Sequence, residues 1–325
     1  MDDRKLMLVS VCCMAYNHEH YIKECLEGIM MQKTDFAFEV LIHDDASTDM
    51  TASIIREYES KYPDIIKPIY QTENQYSKGI QILTEFLYSR VNGKYIAFCE
   101  GDDCWIDPLK LQKEVDFLEN NSDYGLVWTD VNCLHQKSQI LEKRFFKNDQ
   151  FAFCDSFEDY LLYVPFRAPC TWMYRKECAK SPHKSYVVGD LPLILDILAD
   201  YKVKKMDDVT ALYRVVDGSA SHFKDEKELY AFMQDIYEIQ MDYAKKYKVS
   251  EKLIDAININ FCKNTCVLAA AAGDLDQIKI TGNQLSGRND FSLKLKLITI
   301  LAKTRVGRFF LKARVKLYFF TKKWL

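Results

Sequence analysis

The sequence lacks the long hydrophobic runs and the cysteine spacings that define several protein classes. No stretch of eighteen or more apolar residues occurs among its 325 residues, so we expect no membrane-spanning helix. The eleven cysteines include no CxxC pair and no Cys/His cluster with the spacing of a zinc site. We therefore expect reduced, mostly buried thiols in a cytoplasmic protein rather than a disulfide framework.

Acidic residues are absent from the last part of the chain. Residues 291–325 hold ten Lys/Arg and no Asp/Glu, whereas residues 1–290 hold 34 Lys/Arg against 47 Asp/Glu. The net charge of −3 thus combines an acidic body with a strongly basic tail. Because the body is acidic and carries no recognised binding module, we expect no nucleic acid as a partner.

Strand and helix patterns alternate through the first 130 residues. Apolar runs predict strands at 6–13, 38–42, 65–70, 95–99 and 125–130, and helical periodicity predicts helices at 21–31, 51–62, 80–90 and 110–120. This alternation predicts an α/β fold with a mostly parallel central sheet flanked by helices. After residue 225 the pattern is wholly helical, so we predict two regions, 1–225 and 226–325.

Two acidic clusters each follow one of the predicted buried strands. Asp44 and Asp45 follow the run Phe38–Ile42, and Glu100–Asp103 follows Tyr95–Cys99. Open α/β sheets bind ligands at the carboxyl ends of their strands. Adjacent carboxylates repel one another unless a proton or a cation such as Mg²⁺ or Mn²⁺ lies between them. The layout predicts a metal and diphosphate site, with solvated turns or helix caps as the alternative.

Three ordered motifs carry a resemblance to a known family. They read SVCCMAYNHEHYI, FEVLIHDDASTDMTASIIREY and GKYIAFCEGDDCWIDPLKLQKEVDFLE. Together they closely resemble the family 2 glycosyltransferases over about residues 6–130, and more thinly to about residue 222. The resemblance implies the GT-A fold, a Rossmann-like α/β architecture, for residues 1–225, and a metal-dependent transfer of a sugar from an activated donor.

The resemblance also implies which residues hold the nucleotide. In that family the first strand and its Tyr-Asn turn cradle the nucleotide, which corresponds to Ala15, Tyr16 and Asn17 here. An aspartate after the second strand contacts the base, which corresponds to Asp45, with Asp44 beside it. Both segments are therefore expected to line one nucleotide pocket.

The acidic motif and the catalytic base follow from the same resemblance. The family's DXD-like motif corresponds to Gly101–Asp103, with Asp103 as the expected Mn²⁺ or Mg²⁺ ligand and Asp102 as the expected contact to ribose or sugar. Because this sequence reads EGDD where many relatives read DxDD or TDD, the identity of the metal-binding carboxylate stays open. The segment VVGDLPLIL matches the family's catalytic acidic residue and gives Asp190, whose carboxylate would take the proton of the acceptor hydroxyl. A role of Asp190 as a helix N-cap is compatible with this.

Three further residues are candidates with open alternatives. Arg214 and Ser219–His222 resemble a late loop that closes over the diphosphate in many relatives. Arg214 is then a phosphate contact, or else part of a buried ion pair. His222 is a contact to phosphate or metal, or else a surface residue. Lys78, in NQYSKG, is a further candidate contact to the nucleotide.

The basic tail alternates basic residues with bulky apolar ones. On a helix its basic and apolar residues take largely separate sides: Arg305, Arg308, Lys312 and Lys316 on one, and Val306, Phe310, Ala313, Leu317, Phe320 and Trp324 on the other. This pattern favours a helix lying in an anionic membrane interface. The alternative is a terminal helix that packs on the protein.

These features predict an inverting glycosyltransferase of hexosyl or N-acetylhexosaminyl type. We expect it to move a sugar from a nucleotide-diphosphate donor, a UDP-sugar, to a hydroxyl of a saccharide or lipid-linked acceptor in polysaccharide biosynthesis. Its expected location is the cytoplasm, with peripheral contact at the inner face of the plasma membrane. A nucleotidyltransferase and a non-catalytic sugar-nucleotide-binding protein remain alternatives. The first should carry a Gly-rich, basic loop after the first strand, which MAYNHEHY lacks, and the second would not need Asp190.

Overall fold

The computed structural model divides the chain into two compact units. It describes residues 6–150, 152, 154–180, 184, 186, 188–216, 223, 225–285 and 293–322. The first unit consists of Met1–Phe157, Pro165–Ser185 and Gly189–Val215, and the second of Glu158–Val164, Tyr186–Val188 and Val216–Leu325. The boundary that we place between residues 225 and 226 stays a prediction.

One sheet organises the first unit. Its strands, among the described residues, are β1 (Met7–Ala15), β2 (Ala37–Asp44), β3 (Ile66–Tyr70), β4 (Tyr95–Phe98), β5 (Cys104–Trp105), β6 (Tyr124–His135), β7 (Ile140–Glu142), β8 (Met173–Arg175) and β9 (Lys202–Val215). They lie in the order β3-β2-β1-β4-β8-β6-β9-β5, and β7 pairs with β6. The strands predicted from the apolar runs are all present.

The two halves of this sheet differ in strand direction. The strands β3, β2, β1 and β4 are parallel, and Ala15 at the end of β1 lies opposite Asp44 at the end of β2. The other half is mixed, because β8 runs antiparallel to both β4 and β6, whereas β9 is parallel to β6. Apolar periodicity locates a strand but does not give the direction of its partner. The alternation of strands and helices anticipated the parallel half, and nothing in the pattern anticipated the antiparallel pairs.

The helices of the chain agree with the predicted pattern except at residues 80–90. They are α1 (Ile22–Met30), α2 (Thr51–Lys61), α3 (Lys110–Asn120), α4 (Phe157–Tyr163), α5 (Asp190–Asp200), α6 (Glu226–Lys246), α7 (Glu251–Ala272), α8 (Leu275–Leu285), α9 (Leu293–Ala302) and α10 (Arg305–Lys322). Residues 80–90 instead form a π-helical turn, Leu83–Leu87, followed by a 3₁₀ turn, Tyr88–Arg90. Gly93 packs its backbone against β1, where a Cβ atom would lie 2.5 Å from the Ser10 nitrogen. The Asn92-Gly93 pair therefore anchors this segment to the sheet.

The second unit is helical. Its longest helices begin at residues that cap them: the Asp225 carboxylate accepts from the backbone N–H groups of Lys227 and Glu228, and the Ser250 hydroxyl accepts from Leu253 N–H. Residues from α6 to α10 form its core: Tyr230, Cys266, Ala269, Ala270, Ile278, Ile298, Ala302 and Leu311. Within the described ranges, no helix has the length and apolar content that crossing a bilayer requires.

Candidate functional site

The turn after β1 is joined to the turn after β2 by hydrogen bonds. Asp45 N–H donates to the Ala15 carbonyl over 2.9 Å. Asn17 N–H donates to the Ser47 hydroxyl over 2.9 Å, and the Asn17 side-chain oxygen accepts from Thr48 N–H over 2.8 Å. Asn17 adopts a left-handed conformation with φ of 55°, which asparagine tolerates well. The segments expected to hold the nucleotide are therefore neighbours, with Tyr16 exposed between them.

Asp45 and Asp44 are both buried but bind different groups. The Asp45 carboxylate accepts from Gln75 N–H over 2.7 Å and from Tyr76 N–H over 3.0 Å, so it fixes the loop after β3. Asp44 accepts from Ser47 N–H at 3.4 Å through one oxygen, Oδ2. Its other oxygen, Oδ1, is buried and has no hydrogen-bond partner in the described part of the chain. A buried acceptor without a donor is costly, and a donor group of a ligand would satisfy it.

Three carboxylates gather directly after β4. Glu100, Asp102 and Asp103 each offer an oxygen within 4.8 Å of the other two. Gly101 between them donates its N–H to the Met14 carbonyl over 2.9 Å. A Cβ atom at Gly101 would lie 2.8 Å from His18 Nδ1, so only glycine allows this close approach. The acidic cluster, residues 100–103, thus lies against the turn after β1.

The acidic cluster carries unbalanced negative charge. Burial and then the charge of Asp102 raise the pKa of Asp103 well above its usual range. Burial and the charges of Asp102, Asp103 and Asp190 do the same to the pKa of Glu100. Asp103 Oδ2 is buried and has no hydrogen-bond partner among the described residues. A close set of carboxylate oxygens with an unsatisfied lone pair suits a hard divalent cation.

Asp190 begins α5 and faces the same end of the sheet. Solvent reaches its side chain, yet the surrounding protein raises its pKa by partial desolvation. Gly189 lies next to Gln81, whose side-chain oxygen would be 3.1 Å from a Cβ atom at that glycine. Burial and the charges of Glu100 and Asp190 together raise the pKa of Tyr76. The backbone N–H of the same tyrosine donates to the Asp45 carboxylate. The first unit therefore brings Asp45, the acidic cluster and Asp190 together.

The remaining predicted residues have other partners. Lys78 forms a salt bridge with Glu73 in the same loop, and both side chains are exposed. Arg214 is buried, forms a salt bridge with Glu24, and donates from Nη1 to the Asp102 carbonyl over 2.7 Å. Arg214 thus forms an ion pair, as the alternative reading of the sequence allowed, although only the arginine side of the pair is buried. Its contact to phosphate stays a prediction. His222 lies outside the described residues.

Three residues near the site were given no individual role from the sequence. Glu100 was visible as the first letter of the EGDD motif, but only its two aspartates were given roles. His18 has a buried Nδ1 without a partner among the described residues. Burial lowers the pKa of His18, although Asp102, Asp49 and Asp44 oppose this effect. Glu24 carried no signal, because nothing in its helical pattern indicates contact with Arg214.

Comparisons with known proteins give the family. A family model described as Glycosyl transferase family 2 matches residues 10–181. The Mycobacterium tuberculosis protein Rv1520 is 40% identical over 128 residues, which are 39% of this chain and 36% of that protein. The chain thus matches about a third of the length of such curated relatives.

Solved structures show the same fold. The S. aureus protein TarS, residues 1–349 in complex with UDP-GlcNAc, superposes with a TM-score of 0.63 at 18% identity, covering 96% of this chain and 92% of that one. The mannosyltransferase PcManGT from Pyrobaculum calidifontis, in complex with GDP-Man and Mn²⁺, gives 0.53 at 17% identity, covering 98% and 85%. These similarities confirm the predicted GT-A fold. With more than half of its residues matched by the family model, the chain belongs to glycosyltransferase family 2.

Proposed function

We propose that the chain transfers a hexosyl or N-acetylhexosaminyl group from a nucleotide-diphosphate donor to a hydroxyl of a saccharide or lipid-linked acceptor. One observation carries the proposal: oxygens of three carboxylates lie within 4.8 Å of one another, and Asp190 is close enough that its charge contributes to the raised pKa of one of them, Glu100. The donor is a UDP-sugar, as the complex of TarS with UDP-GlcNAc supports. The transfer inverts the configuration of the anomeric carbon and serves polysaccharide assembly.

The turns after β1 and β2 form the nucleotide pocket. Ala15–Asn17 provides backbone and the exposed Tyr16 ring. Asp44 contributes its unpaired Oδ1 as an acceptor for a donor group of the nucleotide. Asp45 holds the loop that carries Lys78, so that this lysine reaches the nucleotide when it leaves Glu73. Asp102 contacts the ribose or the sugar.

The acidic cluster fits Mn²⁺ or Mg²⁺. Its carboxylates are close together, and burial and then the charge of Asp102 raise the pKa values of both Glu100 and Asp103. Asp103 would hold the cation, with Glu100, Asp102 and His222 as further candidates. When bound, a divalent cation supplies positive charge for the leaving diphosphate. The presence of Mn²⁺ in the PcManGT complex supports this assignment.

Asp190 acts as the general base. The acceptor oxygen attacks the anomeric carbon while the bond from that carbon to the diphosphate oxygen breaks. The proton of the acceptor hydroxyl passes to the Asp190 carboxylate. The raised pKa of Asp190 strengthens it as a base at neutral pH, and its exposure leaves it open to an acceptor.

The test replaces Asp190 with asparagine and measures release of nucleoside diphosphate in a donor screen with Mn²⁺ and with Mg²⁺. We expect Asp190→Asn to keep donor binding and to lose roughly 10²- to 10⁴-fold in transfer. Asp200→Asn is the matched control, because Asp200 ends the same helix and forms an exposed salt bridge with Lys180. Unchanged transfer by Asp190→Asn would remove this residue from the mechanism. Donor binding without transfer by the unmodified chain would favour the non-catalytic alternative.

The basic tail places the enzyme at an anionic membrane surface on the cytoplasmic side. Among the side chains of α9 and α10 whose burial the structure describes, the large apolar ones that are exposed are Leu297, Ile300, Val306, Phe309 and Phe310. Exposed basic residues Lys296, Lys303 and Arg305 accompany them. Apolar side chains with a basic border fit a bilayer that contains anionic lipids.

Vesicle sedimentation tests the membrane contact. The double variant Phe309→Ala/Phe310→Ala should bind vesicles with anionic headgroups clearly less than the unmodified chain, because it loses buried apolar area. Leu275→Ala on α8, which is also exposed, is the control. Equal binding by the double variant and the control would reject the membrane contact, as would equal binding to anionic and zwitterionic vesicles.

A further inference from the structure

Arg214, near the end of β9, contacts two parts of the chain that are distant in sequence. Its backbone N–H donates to Asp103 Oδ1 over 2.8 Å. Its Nη1 donates to the Asp102 carbonyl over 2.7 Å, and its Nη2 forms a salt bridge with Glu24 on α1. The guanidinium carbon lies 5.4 Å from the centre of the Tyr21 ring. With 5% of Arg214 exposed, these contacts occupy a side chain that solvent hardly reaches.

These contacts bear on the geometry of the acidic cluster. The cluster is a short turn, in which Asp103 N–H donates to the Glu100 carbonyl over 3.0 Å. Directly after it, β5 pairs antiparallel with β9, and Cys104 lies opposite Leu212. The planar guanidinium then joins the cluster to α1, and its rigid fork fixes direction as well as distance.

We infer that Glu24 and Arg214 form a positioning pair that holds Asp102 and Asp103 in the arrangement a divalent cation requires. The inference rests on the proposed function, because it assigns these two residues to the metal site of that function. Neither residue needs to touch the cation. Residues that orient metal ligands in this way commonly change metal affinity by roughly 10- to 100-fold when they are replaced.

The charge of Arg214 makes the inference testable. A positive charge beside a cation site opposes cation binding, so removing the charge alone would tighten binding. If Arg214 instead positions the carboxylates, its removal weakens binding. Glu24 gives an independent variant, because its side chain is 61% exposed and its replacement should leave the fold intact.

The experiment titrates the full chain with Mn²⁺ alone and measures affinity by calorimetry. We expect Arg214→Gln to weaken Mn²⁺ binding by roughly 10- to 100-fold, and Glu24→Gln to weaken it by roughly tenfold. Arg214→Lys, which keeps the charge but loses the fork, should fall between Arg214→Gln and the unmodified chain. The control is Glu27→Gln, the same change on the same helix. Glu27 is exposed, and its Oε1 lies 3.9 Å from Lys23 Nζ.

Each outcome decides a different point. Mn²⁺ binding by Arg214→Gln and Glu24→Gln that is as tight as in Glu27→Gln, or tighter, would overturn the inference while the proposed function stands. If Arg214→Gln fails to fold, Glu24→Gln and Arg214→Lys decide. A higher donor KM with unchanged Mn²⁺ affinity would assign Arg214 to the diphosphate instead. No Mn²⁺ binding by the unmodified chain would contradict the metal site and the inference together.

Discussion

The two acidic clusters follow β2 and β4, the parallel strands on either side of β1, and look alike in sequence, but their carboxylates have different surroundings. After β2, Asp45 accepts hydrogen bonds from two backbone N–H groups of the loop that follows β3. After β4, Glu100, Asp102 and Asp103 face one another within 4.8 Å. The first arrangement neutralises a carboxylate with protein dipoles, and the second leaves carboxylates to repel one another.

This difference separates two tasks within one site. A carboxylate that is satisfied by backbone N–H groups stabilises a loop without any ligand. In the acidic cluster, burial and the charge of Asp102 raise the pKa of Glu100 and of Asp103, so this set of carboxylates has a high free energy until a proton or a cation joins it. We therefore expect Asp45 to act mainly on the shape of the nucleotide pocket, and the acidic cluster to act on charge.

The largest expected effect comes from Asp103→Asn. Losing the buried charge should lower sugar transfer by roughly 10²- to 10³-fold, comparable to losing one group that stabilises charge in a transition state. The rise in melting temperature that Mn²⁺ gives to the unmodified chain should also disappear, because ligand binding to the folded state is lost. Asp116→Asn, an exposed change on α3, is the control. A full Mn²⁺ response in Asp103→Asn would place the cation elsewhere.

A buried carboxylate with a lysine beside it sharpens the comparison. Glu114 on α3 forms a salt bridge of 2.7 Å with Lys110, and neither side chain is exposed. Burial raises the pKa of Glu114 to about 7, although Lys110 opposes the rise. The folded protein therefore binds an extra proton between the usual pKa near 4.5 and about 7. Its free energy of unfolding should fall as pH rises through this window, by on the order of 3 kcal/mol, and level off above it.

Urea unfolding at several pH values measures this effect, with Glu114→Gln as the matched variant. The variant cannot titrate at this position, and its amide oxygen can still accept from Lys110 Nζ, so its stability should change less between pH 4.5 and 7. Identical pH profiles for both proteins would show that burial does not shift the pKa of Glu114. That result would weaken the same argument for the acidic cluster.

The smallest expected effect comes from Asp45→Asn. An amide keeps one acceptor oxygen but presents an NH₂ group to a backbone N–H, so we expect a loss of about 1–3 kcal/mol in the free energy of unfolding. Mn²⁺ affinity should stay unchanged. Urea unfolding and a Mn²⁺ titration measure the two quantities, with the exposed Asp64→Asn as control. Weaker Mn²⁺ binding in Asp45→Asn would mean that the two clusters work as one.

Much of the first half of the fold follows from local patterns. Apolar runs located β1 to β4; in β1, β2 and β4 most residues are buried, and such a strand is recognisable without its neighbours. Helical periodicity located α1, α2 and α3, because apolar residues at helical spacing along one face are also recognisable without their neighbours. It failed at residues 80–90, where contacts of Asn92 and Gly93 with Ser10 on β1 accompany irregular turns instead of an α-helix.

The sequence by itself determined the family, the parallel half of the sheet and the presence of acidic groups at two strand ends, because these depend on residues that are near one another in the chain. Only the tertiary structure decided how those groups are used. It brings Glu24 into contact with Arg214, 190 positions away, and it brings Asp45 within hydrogen-bond distance of the loop after β3. Hydrogen bonds and charges act over distances in space, and neither periodicity nor motif spacing records which distant residues meet.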